Sequence, residues 1–349
     1  MNTFLIVFTA VNVLFNIMPL IRNDYWTFRV FDYPRLQKLT LSFVCIILTA
    51  FSYKGEQWEY ITLLSLSGIN IIYLLYHILP FTVLAKKQML TAKNSDKSNR
   101  LEIVIANVYQ ENRNAQGCLT EIKKADPDIV LLLETDNFWA DATSELKEKY
   151  PYNRLIPLEN TYGMILYSRL DLKDTEVKYM VEEDVPSIHT KIVLKSGKEI
   201  QLFALHPTPP VPNENIRSTE RDKELLLTAD LCKKSKLPVI VMGDLNDVAW
   251  SYTTKLFLKM SNLLDPRLGR GFFNTFHARY PFMRFPLDHA FASSHFKFVC
   301  MKRLNNCGSD HFPICVSLQL EESATHEQHG EKPDSEDIAE ANEKKQKAT

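Results

Sequence analysis

The chain has 349 residues, 45% of them hydrophobic, six cysteines and a formal net charge of −1, a length that argues for one large domain plus an extra segment. Over residues 101–319 there are 27 lysines and arginines against 28 aspartates and glutamates, which excludes the broadly basic surface that draws nucleic acid over long range. The cysteines have no CxxC spacing and five of them lie beyond residue 100; this argues against a paired disulfide framework or a zinc knuckle and fits a reducing compartment.

In chain order, three apolar runs come first: Phe4–Ile21, Leu36–Tyr53 and Tyr60–Leu84. Each approaches the roughly 20 mainly apolar residues that a membrane-spanning helix needs. The first has no basic start and no small-residue cleavage site, and it contains Asn12 and Asn16, so it does not read as a signal peptide. Residues 1–85 are therefore predicted to be a three-helix transmembrane anchor, which makes the protein a multi-pass component of an inner or plasma membrane. Arg22, Arg29, Arg35 and Lys38 follow the first run, Lys54 alone follows the second, and Lys86 and Lys87 follow the third. Positive loops stay in the cytoplasm, so the first loop and everything after the third helix are expected on the cytoplasmic side, with the N-terminus outside. Asn70 and His77, inside the third run, are expected to hydrogen-bond between helices.

Residues 86–100 are polar and without periodicity, and read as a linker out of the membrane. Strands are then predicted at Ile103–Val108, Ile129–Leu133, Met164–Tyr167, Ile188–Leu194, Ile200–Leu205, Val239–Met242, Leu287–Ala292 and Ile314–Leu320. Helical spacing of apolar residues marks Ala115–Ala125, Trp139–Lys149 and Asn215–Lys234. Several strands are almost wholly apolar, as in sheets covered on both faces, so an α/β arrangement of stacked sheets with helices outside is expected over residues 101–320. Residues 321–349 hold many charges and a single large aliphatic residue, Ile338, and are predicted to form a disordered polar tail.

Polar residues collect where the apolar strands end, the place where a sheet scaffold presents catalytic groups. Asn107 lies in IVIANVY, Glu134 closes DIVLLLET and His206 closes IQLFALHP. Asp244 and Asn246 follow VIVM in GDLND, Asp288 and His289 lie in PLDHAFA, and Asp310 and His311 form GSDHFP. Carboxylates, amides and histidines together are the residue types that neutralise charge, deprotonate a water and stabilise a departing oxygen. Hard oxygen ligands suit magnesium or manganese, and no Cys/His cluster at zinc spacing exists.

Taken in order, NV, LLLET, LHP, GDLND, LDHAF and SDH resemble the motif series of the endonuclease/exonuclease/phosphatase family, which includes DNase I, abasic endonucleases of the exonuclease III type, neutral sphingomyelinases and inositol polyphosphate 5-phosphatases. The resemblance covers residues 101–320, and GDxN with the terminal SDH is its specific part. It implies a four-layer αββα sandwich, here preceded by three transmembrane helices as in bacterial membrane members of the family. It further implies that Glu134, Asn107 and Asp310 hold Mg2+ (or Mn2+). By the same resemblance His311 is general base or electrostatic partner, oriented by Asp288, while Asp244 and Asn246 position the attacking water and a phosphoryl oxygen. His206 matches a second histidine that assists the phosphate and leaving group. The carboxylate that partners it in DNase I-like members is absent from TYGMILYSR, where Tyr162 is the implied phosphate or leaving-group contact. His289 is expected to face away from Asp288 across its strand.

The segment from Pro266 to Pro286 interleaves Arg267, Arg270, Arg279 and Arg284 with six aromatic residues. It suits phosphate and base stacking, a lipid interface, or a partly buried aromatic loop. A nuclease acting on nucleic acid is the first functional expectation, and a phosphodiesterase or phosphatase for phospholipid, sphingomyelin or inositol phosphate is the alternative. A non-catalytic membrane scaffold is disfavoured because no chemical residue is missing. Nothing in the sequence points to a protein partner.

Overall fold

A computed structural model describes residues 1–348. The chain opens with α1 (Asn2–Ile17), α2 (Trp26–Arg29), α3 (Arg35–Ser52) and α4 (Gln57–Ile78). Three helical stretches, Asn2–Leu20, Arg35–Ser52 and Gln57–Phe81, are long and apolar enough to cross a membrane. Their outward faces leave Phe4, Ile47, Ile69 and Ile72 exposed. Polar bonds knit α1 to α3, where Ser42 Oγ donates to Asn12 Oδ1 at 3.3 Å and Thr9 Oγ1 lies 2.9 Å from Cys45 Sγ. Of the two residues expected to bond between helices from α4, His77 does so, its Nδ1 meeting Lys255 Nζ of a later helix at 3.0 Å, while Asn70 is buried.

The remainder alternates β1 (Arg100–Asn107), α5 (Ala115–Ala125), β2 (Ile129–Leu133), α6 (Asn137–Ala142), β3 (Tyr152–Ile156), β4 (Met164–Ser168), β5 (Leu172–Lys178), β6 (Ser187–Val193), β7 (Glu199–Leu205), α7 (Thr219–Lys234), β8 (Val239–Asp244), α8 (Tyr252–Ser261), β9 (Leu263–Leu264), β10 (Asp288–Ser293), β11 (Phe296–Arg303) and β12 (Ile314–Leu320). One sheet has the order β11-β12-β1-β2-β4-β3 and the other β5-β6-β7-β8-β10-β9. Strand alternation explains the layers. Ile103 and Ile105 of β1 join Ile240 and Met242 of β8 in the core between the sheets. Val104 and Ala106 turn the other way onto Cys118 and Leu119 of α5, and Val241 turns onto Leu225 of α7 and Phe257 of α8. Both faces of each central strand are thus covered, which is why those strands are apolar throughout. The result is the αββα sandwich preceded by three apolar helices.

Two sequence expectations need correction. Residues 86–100 do not hang free: Met89 is fully buried in the inter-sheet core, and Leu90 N donates to Gln328 Oε1 at 2.6 Å. The segment expected to be a disordered tail carries α9 (Ala324–Glu327) and α10 (Ser335–Gln346); Thr349, its last residue, lies outside the described residues. An Asp334/Asp337 capping box starts α10, Ala341 packs into the α7/α8 core, and Lys344 Nζ donates to Asp24 Oδ1 at 2.9 Å and Asp222 Oδ2 at 2.8 Å. Counting apolar residues misses a helix held by a cap and buried ion pairs.

Candidate active site

Sheet register assembles the candidate residues. Parallel pairing sets Asn107 opposite Leu133, so Glu134 lies one step beyond it. In the second sheet Leu205 pairs with Gly243, which brings His206 alongside Asp244, and antiparallel pairing sets Asp288 opposite Asp244. Ile105 pairs with Ile314, so the SDH turn just before β12 arrives at the same edge. Two local features aim the groups. Glu134 and Asn246 adopt the left-handed region at φ of 58° and 50°, a turn that frees a side chain from the strand's alternation. Gly243, at φ of 145°, leaves room for the chain: a Cβ there would sit 1.9 Å from Leu205 O.

Two hydrogen-bonded groups, Glu134–Asn107–Asp244 and Asp288–His311, meet at Asp244. Asn107 Nδ2 donates to Glu134 Oε1 at 2.7 Å and to Asp244 Oδ2 at 3.0 Å. His311 Nε2 lies 3.5 Å from the same Asp244 oxygen, and its Nδ1 is 2.8 Å from Asp288 Oδ2. Asn246 N donates to Asp244 Oδ1 at 3.0 Å, and Asn246 Nδ2 donates to Pro207 O at 2.9 Å. The His206 ring is buried and its Nδ1 has no partner. Asp310 accepts Ser309 Oγ at 3.3 Å and makes no bond to Glu134 or Asn107 among the described residues. His289 leaves the site as expected, its Nε2 2.8 Å from Asp247 O and its Nδ1 2.5 Å from Arg267 Nη2.

The Tyr162 ring lies 5.4 Å from that of His206, and its hydroxyl bonds the Glu214 carboxylate. Glu214 sits in a polar loop, VPNEN, that offered no periodic signal. The arginine-aromatic segment resolves differently from its composition. Arg267 is buried against Asp265 and Arg270 donates to Met89 O at 2.6 Å, so two of its four arginines serve the fold. The hairpin at 275–285 does reach the site: the Phe276 ring is 5.0 Å from His311, and Asp288 N donates to Thr275 Oγ1 at 3.3 Å.

Charge at the site is lopsided. Among the described residues no lysine or arginine pairs with Glu134, Asp244, Asp288 or Asp310. Burial pushes the Glu134 carboxyl up to about 7 despite its bond from Asn107, and the nearby acids Asp310 and Asp244 add to the rise. Burial likewise raises Asp288 and lowers His206 to about 4. For His311 burial acts downward, but Asp288 and Asp244 outweigh it and hold the imidazole up at about 10. Donor atoms of Asp244, Asp288 and His311 all lie within 4.8 Å of one another. That compact group differs from the expected set of Glu134, Asn107 and Asp310, and its imidazole already faces a carboxylate at each nitrogen. Four carboxylates around one histidine fit a hard divalent cation, with Glu134 and Asp310 the acids left without a cationic partner among the described residues.

A two-sheet sandwich with acids, amides and histidine gathered at one edge defines a hydrolase of phosphoester bonds. The profile of the "Endonuclease/Exonuclease/phosphatase family" matches residues 104–311, and the chain belongs to that family. A UPF0294 protein of Vibrio parahaemolyticus is 23% identical over 241 residues, 66% of this chain and 81% of that one. Among solved structures, D. rerio TDP2 complexed with single-strand DNA product has 19% identity and a TM-score of 0.54, covering 63% of this chain and 99% of that one. The human Nocturnin catalytic domain with bound sulfate anion has 19% identity and a TM-score of 0.51, covering 64% and 94%. An endonuclease/exonuclease/phosphatase from Bacteroides vulgatus has 18% identity and a TM-score of 0.52, covering 64% and 99%. At these identities the solved structures establish the fold.

Proposed function

We propose that the protein is a membrane-anchored, metal-dependent phosphodiesterase whose catalytic domain works at the cytoplasmic face. The observation that carries this reading is the cluster in which Asn107 bonds both Glu134 and Asp244 while His311, bonded to Asp288, faces the same Asp244 oxygen, in a member of a phosphoester-hydrolase family. Glu134 and Asn107, with Asp310 adjacent, would hold magnesium or manganese. When bound, the cation supplies neutralisation of phosphate charge.

The chain's own residues divide the remaining work. Asp244, its oxygens steered by Asn107 Nδ2 and Asn246 N, is placed to accept a proton from the attacking water. His311 acts as a charged partner for a phosphoryl oxygen: each ring nitrogen faces a carboxylate, which favours the imidazolium over the general base that the sequence left open. Asn246 orients the phosphate, and His206 contacts it or the leaving group. Tyr162, bound to Glu214, backs the His206 ring.

For the substrate, a lipid phosphodiester is the favoured class. Tyr280, Phe282 and Met283, at the tip of the hairpin that walls His311, are 60%, 86% and 52% exposed. Phe282 O accepts a bond from Gln37 Nε2 at 2.5 Å, in the first turn of apolar helix α3, which sets this apolar tip beside a membrane segment. Nucleic acid is the second reading, supported by the TDP2 structure solved with single-strand DNA product. The test is full-length protein with magnesium against sphingomyelin and phosphoinositide vesicles, DNA, RNA and a chromogenic phosphodiester. Hydrolysis confined to DNA or RNA would reverse the substrate order, and full activity in EDTA after metal removal would overturn the mechanism.

A further inference from the structure

The peptide that carries Asn246 is held from both inside and outside the catalytic domain. Its carbonyl accepts two donors, Arg221 Nη1 of α7 at 2.7 Å and the half-buried Tyr33 hydroxyl at 3.0 Å. Tyr33 belongs to the loop between the first two apolar runs, 213 positions away, and its ring packs edge-on against Phe285 of the hairpin beside His311 at 5.4 Å. The same loop is fastened at further points: Trp250 Nε1 donates to Asp32 O at 2.8 Å, Ser218 N donates to Asp24 O at 2.8 Å, and Trp26 N donates to Ile216 O at 2.9 Å. Arg221 in turn is fixed by Asp222, whose other oxygen accepts Lys344 Nζ of α10 at 2.8 Å.

These contacts carry more than tethering requires. Asn246 sits in the left-handed region, where few stabilising contacts come from the chain itself, and its orientation sets both its own amide and the N–H that steers Asp244. We propose that Tyr33 and Arg221 are positioning residues of the active site, so that the membrane anchor's first loop completes the catalytic centre. The inference rests on the phosphoesterase reading above. A carbonyl with two donors keeps one when the other is lost, so removal of the Tyr33 hydroxyl loosens the peptide without leaving a buried orphan.

The experiment uses the full chain in detergent with magnesium and bis(4-nitrophenyl) phosphate. Tyr33→Phe keeps the ring on Phe285 and deletes one donor; kcat is expected to fall about 3- to 10-fold with KM unchanged. In an Asn246→Ala background, which removes the side-chain amide but keeps the backbone N–H to Asp244, the same substitution is expected to cost clearly less than in the unaltered chain. An unchanged kcat in Tyr33→Phe, a loss confined to KM, or an equal loss with and without Asn246 would overturn the inference. Absence of any hydrolysis by the unaltered chain would instead overturn the phosphodiesterase reading.

Discussion

Replacing Glu134 with glutamine removes a charge from a site that holds several others while keeping the shape that accepts the Asn107 amide. The carboxyl is raised from 4.5 to about 7, so the native state holds its proton more tightly than the unfolded chain does. That preference stabilises the fold fully below pH 4.5 and is lost as pH rises through 7. Keeping Glu134 ionised at pH 8 without metal then costs about 2 to 3 kcal/mol after allowance for its partial exposure. Glu134→Gln escapes the cost, and in EDTA at pH 8 the catalytic domain should melt roughly 4–12 °C higher than the unaltered protein. Magnesium at about a hundredfold excess over its dissociation constant stabilises the unaltered protein by ~2.7 kcal/mol, and the variant should lose most of that shift. Differential scanning fluorimetry in detergent, with and without magnesium and at pH 5 and 8, reads all four corners. Equal melting temperatures in EDTA at pH 8, together with equal shifts on adding magnesium, would refute the assignment of Glu134 as an uncompensated ligand.

His311→Ala should lower kcat by ~10²- to 10³-fold, as for removal of an electrostatic donor to phosphate, and His206→Ala, whose Nδ1 has no partner to orient it, should lower it less; steady-state kinetics on a chromogenic phosphodiester compares them. Because Asp288 and Asp244 hold His311 up at about 10, its charge is complete near neutrality and lost as pH rises through that value. Activity should therefore fall between about pH 9 and 11, and a rate that climbed through that window would restore the general-base role. Gly243→Ala drives a Cβ onto Leu205 O and should destabilise by about 2 to 4 kcal/mol, measured by urea unfolding. Reporter fusions after Lys87 should be active only when the reporter works in the cytoplasm.

Legibility in the sequence followed burial. The central strands β1, β2, β8 and β12 are apolar on both faces and were placed within a few residues, and polar residues at their ends marked most of the site. The four edge strands β3, β5, β9 and β11 were not predicted: charges such as Lys173, Glu176 and Lys302 on one face blur the period of β5 and β11, and β9 is only two residues long. The contacts of Tyr33 with Asn246 and of Phe276 with His311 leave no mark in local pattern, since each side is an unremarkable aromatic until the fold brings them together. Glu214 and α10 were hidden for a related reason: their stability comes from specific polar partners rather than from apolar periodicity.

The docking of α10 also sets an order of events during synthesis. Asp24, just after the first apolar helix, and Asp222, in the second half of the catalytic domain, both wait for the ammonium of Lys344. The ribosome makes the apolar helices first, so they are available to the membrane some three hundred residues before that ammonium exists. Until it arrives, Asp24, Asp222 and Asp247 share two guanidiniums, Arg29 at 3.3 Å from Asp24 and 3.8 Å from Asp222, and Arg221 at 2.9 Å from Asp222 and 3.6 Å from Asp247, and burying them together is unfavourable. The loop that bears Tyr33 therefore has reason to remain undocked while the catalytic domain is being made. A nascent chain halted before residue 344 would carry its sandwich with the Asn246 peptide still slack.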